Sequence, residues 1–205
     1  MTDTVTIALV DDDAAVLDSL ALYLAREGVT TEGFDSAEAL ITALDGGARP
    51  DCIVSDIRLP GISGLELLDL LKGRHCTAPL ILITAVGDID MAVAAMKTGA
   101  FDFIEKPFDE GRLLTAIESA VTLRRRQAAR DAELEGLRSR FNTLSARQRQ
   151  VMELAAAGLS NKEIAFRLDI SPKTVENHRA WVMERMDARS LADLVRIAMR
   201  IEERS

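Results

Sequence analysis

The sequence predicts an α/β fold, a five-stranded doubly wound parallel sheet, followed by an all-α domain of four helices. Three observations carry that expectation. Short apolar runs alternate with helical patterns over the first 120 residues. Beyond them the pattern is helical alone. Charge divides at nearly the same point. Residues 1–123 hold 8 Lys and Arg against 21 Asp and Glu, a net −13, and residues 124–205 hold 17 against 12, a net +5, which together give the chain's −8. A length of 205 residues and a hydrophobic content of 48% are enough for two packed cores.

The elements follow in order. Val5–Val10 reads as a strand, and Ala14–Glu27 as a helix with Val16, Leu17, Leu20 and Leu24 at helical spacing. Thr30–Phe34 is a short strand, and Ser36 caps a helix reaching Leu44. Cys52–Asp56 is a buried strand. Gly61 and Gly64 lie in a loop, and Leu65–Lys72 is helical. Pro79 precedes a strand ending at Thr84. Asp88 caps a helix carrying Met91, Ala92, Ala95 and Met96, Phe101–Glu105 is the fifth strand, and a helix starts at Asp109. Five βα units imply a parallel sheet with helices on both faces and right-handed crossovers.

The last of these helices has no evident stop. No proline and a single glycine, Gly136, occur between Leu113 and Asn142, and Val121, Leu123, Ala128, Leu134 and Leu137 form a thin apolar stripe. An exposed connecting helix, paired with a copy of itself, and a flexible charged tether are the two readings; propensity over so long a window favours the helix. The expected organisation is therefore 1–120, a linker 121–142, and 143–205.

Residues 143–205 resolve into helices near 146–156, 161–168, 172–186 and 191–201. Ser145 with Gln148, and Ser160 with Glu163, read as capping boxes. Gly158 suits a helix C-terminus. Ser171-Pro172 places a cap before a proline at the first helical position. Ser190 opens the last helix, with Leu191, Leu194, Val195 and Ala198 on one face. The tight turn Asp169-Ile170-Ser171 makes the middle pair a helix-turn-helix.

Some functions are disfavoured. No run of 18 apolar residues occurs, so no membrane span is expected. The N-terminus lacks the basic and cleavage features of a secretory signal. Cys52 and Cys76 have neither disulfide nor metal-ligand spacing, and Cys52 reads as a small packing residue. A reducing cytoplasm fits.

The chemistry lies at the strand ends. Asp11, Asp12 and Asp13 follow the first strand, Asp56 ends the third, Thr84 the fourth, and Lys106 follows the fifth. In open α/β sheets, sites form at the C-terminal strand ends. Converging carboxylates repel one another, and a hard divalent cation such as Mg²⁺ relieves that repulsion while keeping positions for water and phosphate oxygens. An amine and a hydroxyl beside it complete a clamp for a phosphoryl group, with a carboxylate as acceptor. Taken singly, each residue has a plain alternative: Asp as a turn former, Lys106 as a surface lysine before Pro107.

With Asp11-Asp12, Asp56 in SDIRLPGISG, Thr84 in LITA, Phe103, and Lys106-Pro107 in DFIEKPF, residues 5–120 resemble a response-regulator receiver domain, which is flavodoxin-like. Residues 143–201 resemble a NarL/LuxR-type DNA-binding domain, and the two halves together resemble FixJ-type regulators. The resemblance implies that Asp56 accepts phosphate from a sensor histidine kinase. It implies Mg²⁺ held by Asp11, Asp12, Asp56 and the carbonyl of Arg58. Lys106 and Thr84 would contact the phosphoryl oxygens, Thr84 and Phe103 would form a switch pair, and the Lys106–Pro107 bond would be cis. It further implies a phosphorylation-driven homodimer on promoter DNA, activation of transcription, and RNA polymerase as a possible partner. The implied pairing face carries Met91, Ala95, Lys97 and Phe101, with Leu194 and Ala198 pairing the last helix. The receiver would catalyse only its own phosphoryl transfer and dephosphorylation.

On the third helix of the tail, Lys173, Glu176, Asn177, Ala180 and Glu184 share a face, and Val175, Val182 and Met186 point inward. Lys173 and Arg179 are placed for phosphates or guanine edges, Asn177 for adenine, and Glu176 for a cytosine amino group. Thr174 joins them, and Lys162 is a phosphate contact at the preceding helix. His178 and Trp181 read as packing residues. Two rival functions share features with this one: an aspartyl-phosphate phosphohydrolase, for which no second acid or histidine is placed, and an adaptor with a degenerate helix-turn-helix.

Overall fold

The computed structural model describes residues 5–85 and 89–202. Asp88, expected as a helix cap, lies outside them, as does the side chain of Met91. The described chain divides into two compact units, residues 1–126 and 127–205.

In the first unit β1 (Thr6–Val10), β2 (Thr30–Phe34), β3 (Cys52–Asp56), β4 (Leu80–Ala85) and β5 (Asp102–Lys106) form one sheet in the order β2-β1-β3-β4-β5. Every neighbouring pair is parallel. The helices are α1 (Ala14–Arg26), α2 (Ala37–Asp45), α3 (Gly64–Gly73), α4 (Ile89–Thr98) and α5 (Glu110–Asn142). Parallel strands buried on both faces read as continuous apolar runs, and the interior of β3 and β4 fits that description: Ile53, Val54, Ile81 and Leu82 are all buried. Alternation along each strand splits the core in two. Ala8, Val10, Ile53 and Leu82 pack with Leu40, Leu67, Leu71 and Ala95. Ile7, Leu9, Val54 and Ile83 pack with Leu20, Leu24, Leu113 and Ile117.

The caps act where expected. Ser36 accepts from the Ala39 N–H, and Asp13 accepts from Ala15 at the start of α1. Gly64, expected in the loop, instead begins α3, because Ser63 and Glu66 form a capping box one residue earlier. The fifth strand sits one residue later than Phe101–Glu105. Lys106 pairs with Ala85 in the ladder, and that partner on a neighbouring strand carries the element to the lysine.

α5 is continuous over 33 residues. The expected stripe is divided: Val121 is buried in the receiver core, Leu123 is exposed, and Leu137 is buried in the core of the second unit. That second core is completed by α6 (Ala146–Ala156), α7 (Asn161–Leu168), α8 (Pro172–Arg185) and α9 (Leu191–Glu202) around Val151, Met152, Ile164, Val175, Val182 and Met186. Glu133 on α5 meets Arg200 on α9 at 2.5 Å, and Arg149 stacks over Phe141 with its guanidinium carbon 5.3 Å from the ring centre.

Candidate functional site

The strand order reverses between β1 and β3, and at such a switch point an open α/β sheet leaves a crevice. Val10 pairs with Ser55, so Asp11 and Asp56 emerge side by side. Lys106 reaches them from β5, two strands beyond β3. Its Nζ lies 3.0 Å from Asp11 Oδ2 and 2.5 Å from Asp56 Oδ2. The other Asp56 oxygen, Oδ1, accepts the Arg58 N–H at 2.7 Å. The Asp56 side chain is 13% exposed and that of Asp11 only 7%. Burial pulls the Lys106 amine down, but hydrogen bonds and charge from Asp56 and Asp11 outweigh it and leave its pKa raised. The amine is therefore cationic at neutral pH. Thr84 is fully buried in β4, paired in register with Glu105, and Phe103 is half-buried against the core beside α2 to α4. The Lys106–Pro107 peptide is cis.

Asp11 is buried, whereas Asp12 and Asp13 are exposed. Asp11 Oδ1 also accepts the Asp13 N–H at 3.0 Å, which turns the chain into the cap of α1. The donors that converge are hard oxygens, the kind Mg²⁺ takes. Among the described residues no cluster of three or more His, Cys, Asp or Glu forms a ready-made cage. Two carboxylates with water do fit an ion that is usually held by one or two carboxylates and keeps its waters.

Two residues that support this pocket were not anticipated. A Cβ on Gly64 would stand 2.5 Å from the Asp56 carbonyl oxygen and 3.0 Å from Ile57 Cα. Only glycine lets α3 begin against the backbone of Asp56. Glu38 of α2 accepts the Ile62 N–H at 3.2 Å and so braces the loop after Asp56. Neither role has a local sequence signal, because each depends on a partner from another element.

The second candidate surface is the α7–α8 pair. Ser171 caps α8, with Pro172 at its start, and Asp169 turns the chain in the left-handed region at φ 52°. Val175, Val182 and Met186 are buried, which turns Lys173, Glu176, Asn177 and Ala180 outward, all four exposed. Lys162 is exposed on α7. Lys173 pairs with Glu176 at 2.8 Å, and the Thr174 and Ser171 hydroxyls are 2.8 Å apart. Arg179 is half-buried and donates to Asn161 at 2.8 Å, tying α8 to the first turn of α7. Thr174 thus joins the cap and Arg179 the brace between the two helices.

Three expectations are corrected. Trp181 is 52% exposed rather than packed, because it follows the buried-facing turn on the outer side, with Arg185 over its ring at 6.0 Å. Leu194 is buried in its own domain's core, so it is not part of a free pairing face; the exposed large apolar residues of α9 are Leu191 and Met199. Ala95 is likewise on the buried side of α4, whose exposed apolar residues include Val93 and Met96. Both misplacements come from counting a helix face without knowing which side the core takes. His178 is half-buried.

A sheet with an acid pair and a lysine at its carboxyl edge, followed by a helix-turn-helix domain, defines a signalling receiver joined to a DNA-binding output. The chain belongs to the two-component response regulators that carry a LuxR-type DNA-binding domain, a family of transcriptional regulators rather than classical enzymes. The model for the response regulator receiver domain matches residues 7–118, and that for bacterial regulatory proteins of the luxR family matches residues 142–198. The chain is 47% identical over 200 residues to the transcriptional regulatory protein FixJ of Bradyrhizobium diazoefficiens, covering 98% of this chain and 97% of that one. It is 38% identical over 197 residues to the response regulator protein TodT of Pseudomonas putida, covering 96% and 86%. Among solved structures, the response regulator StyR aligns with a TM-score of 0.84 at 39% identity, over 96% of this chain and 99% of that one. Full-length FixJ from B. japonicum aligns with a TM-score of 0.62 at 46% identity, over 99% of both chains. A receiver domain implies a histidine kinase partner, and the luxR-family domain implies DNA binding. No helix among the described residues is long and apolar enough to cross a membrane.

Proposed function

We propose that Asp56 is the phosphoacceptor and that its phosphorylation turns on promoter binding. One observation carries the reading: a single amine, Lys106 Nζ, bridges the largely buried carboxylates of Asp11 and Asp56. In the transfer, an Asp56 carboxylate oxygen attacks phosphorus and the P–N bond of the kinase's phosphohistidine breaks. The electron pair leaves with the imidazole, and an acyl phosphate remains on Asp56. Lys106, already cationic, neutralises charge on the transferring group. Asp11, Asp12, Asp56 and the Arg58 carbonyl would hold a Mg²⁺ ion, in part through its waters, and the ion would supply further charge neutralisation. The Arg58 N–H holds Oδ1, which orients the carboxylate before reaction.

The new phosphate adds charge and acceptor oxygens where a carboxylate stood. Lys106 and the Thr84 hydroxyl are the donors that answer it. Thr84 is buried on β4, so its shift opens space that Phe103 on the neighbouring strand fills, and the α4–β5 surface changes. The effect is a shift between two populated states. Two copies then pair and present α8 to paired half-sites, where Lys162, Lys173, Glu176, Asn177 and Ala180 meet DNA. Thr174 and Arg179 hold α8 in place for that contact. RNA polymerase is the further partner of an activator, and the cytoplasm is the compartment where kinase, regulator and DNA meet.

The test compares the wild type with Asp56→Asn after treatment with a small phosphodonor and Mg²⁺. Sedimentation should show a heavier species, and footprinting a protected promoter, only for the wild type. Equal label on the Asn variant would overturn the assignment.

A further inference from the structure

We propose that the base of the receiver sheet carries a second site, which binds a small phosphate or polyphosphate anion. A cavity of about 400 Å³ opens there, lined by Arg49, Pro50, Arg74, His75, Ala78 and Arg124 among others. It lies below the N-terminal ends of β3 and β4, and the Asp56 pocket lies at their C-terminal ends. Its volume falls in the lower range of small-ligand sites, roughly 300–1,000 Å³.

The charge distribution is the first argument. Residues 1–126 hold 11 Lys and Arg against 21 Asp and Glu. Three of those arginines line this one cavity, and only one of the acids, Asp45, does so. In so acidic a domain, composition alone predicts the reverse.

The arginines are also held in place. Arg49 Nη1 donates to the Leu44 and Ala48 carbonyl oxygens at 2.9 and 2.7 Å. These bonds fix its plane without meeting a carboxylate. Arg124 Nη1 is 2.7 Å from Asp51 Oδ1, and Asp51 is itself fixed, its Oδ2 accepting the Thr6 N–H at 3.0 Å. A guanidinium has five N–H donors, so each retains donors for a ligand. Arg74 meets Asp45 only at 3.4 Å, with side chains 37% and 62% exposed. An exposed pair of that kind is worth little and gives way to a stronger acceptor. Planar forks of this type match phosphate oxygens two at a time.

The backbone adds an independent sign. His75 occupies the left-handed position after α3 at φ 54°. The His75 N–H bonds the Lys72 carbonyl and the Cys76 N–H bonds the Leu71 carbonyl, the paired closure in which glycine usually takes this place. A histidine there carries strain that glycine would not, and it sets an imidazole on the cavity wall. Because Arg124 belongs to α5, a bound anion would tie that helix to the loops entering β3 and β4.

The test titrates inorganic pyrophosphate into the full-length chain and follows backbone amide resonances. Saturable shifts should centre on residues 44–51, 74–78 and 124. Arg74→Gln should weaken binding roughly tenfold, as expected for loss of one charge-assisted contact. Arg49→Gln with Arg74→Gln should abolish it. Arg26→Gln, which removes a charge from the exposed end of α1, should leave it unchanged. Shifts that do not saturate, that centre on Asp56 or α8, or that persist in the double variant would each overturn the proposal. If the double variant does not fold, the single Arg74→Gln change decides.

Discussion

The receiver pocket and the α8 surface are built on opposite plans. Asp11, Asp56 and Lys106 come from three strands, and the Lys106 contacts span 95 and 50 positions of sequence. The pocket exists only because the sheet register sets those strands side by side, and its side chains are largely shielded. The α8 surface is local. One turn, one cap and three buried residues at helical spacing turn its polar side outward, and those side chains stand in water. A shielded pocket concentrates charge effects, and an exposed face spreads binding over many weak contacts. Changes in the first should act nearly all-or-none, and changes in the second should be graded.

The largest expected effect is the one at Asp56: Asp56→Asn removes label, pairing and induced promoter binding together. Met186→Ala tests the other unit. Met186 is fully buried, so the cavity left behind should lower that unit's stability by about 2–5 kcal/mol. Denaturant unfolding should show the loss while phosphorylation of Asp56 proceeds at the wild-type rate; a slowed phosphorylation would break the separation drawn here. Gly64→Ala should destabilise the receiver by about 1–3 kcal/mol, because the new methyl meets the Asp56 backbone. It should also slow phosphorylation if Asp56 is the proposed acceptor, since relief of the clash moves that residue, and both are read by unfolding and by a labelling time course.

The exposed face should respond in small steps. Lys162→Ala should weaken DNA binding about equally for all sequences and lower the salt slope by about 1. Asn177→Ala should relax preference at one base position by about 1–3 kcal/mol, seen in a panel of operator variants. If either change abolished binding outright, the graded picture of this face would be wrong. The mildest contrast concerns the thiols. Burial pushes the Cys52 thiol up to about 12, whereas Cys76 is only half-buried. A thiol reagent at neutral pH should modify Cys76 first and leave Cys52 untouched in the folded chain.

The joint between the two regions differs from a plain spacer. The second half of α5 packs into the helical unit through Leu137 and Phe141 and pairs through Glu133 and Arg200. A truncation that isolates the helical unit should therefore start at residue 127. Starting after residue 140 would strip Leu137 from that core.

Much of this organisation is legible in the sequence, for local reasons. Apolar runs of five residues, the caps Ser36, Ser145, Ser160 and Ser171, and the turn before Pro172 act within a few positions of themselves. The acid pair, Thr84 and Lys106 are legible because each ends a strand, and chemistry in such sheets gathers at strand ends. What was misplaced or missed depends on contacts across the fold. Leu194 and Ala95 share helical spacing with exposed neighbours, and only the position of the core shows that they face inward. Trp181 looks like a packing residue by composition and stands in solvent by geometry.

By itself, then, the chain's order of residues determined its two-part architecture, its strand and helix positions to within a residue or two, and which polar groups stand at the strand ends. Periodicity, capping and turn chemistry are local and need no partner. The tertiary structure decided which oxygen of Asp56 meets Lys106, why position 64 is glycine, how Arg179 braces α8, and that three arginines line one cavity beneath the sheet. Those are distances between residues far apart in sequence, and only the closed packing of the sheet and its helices sets them.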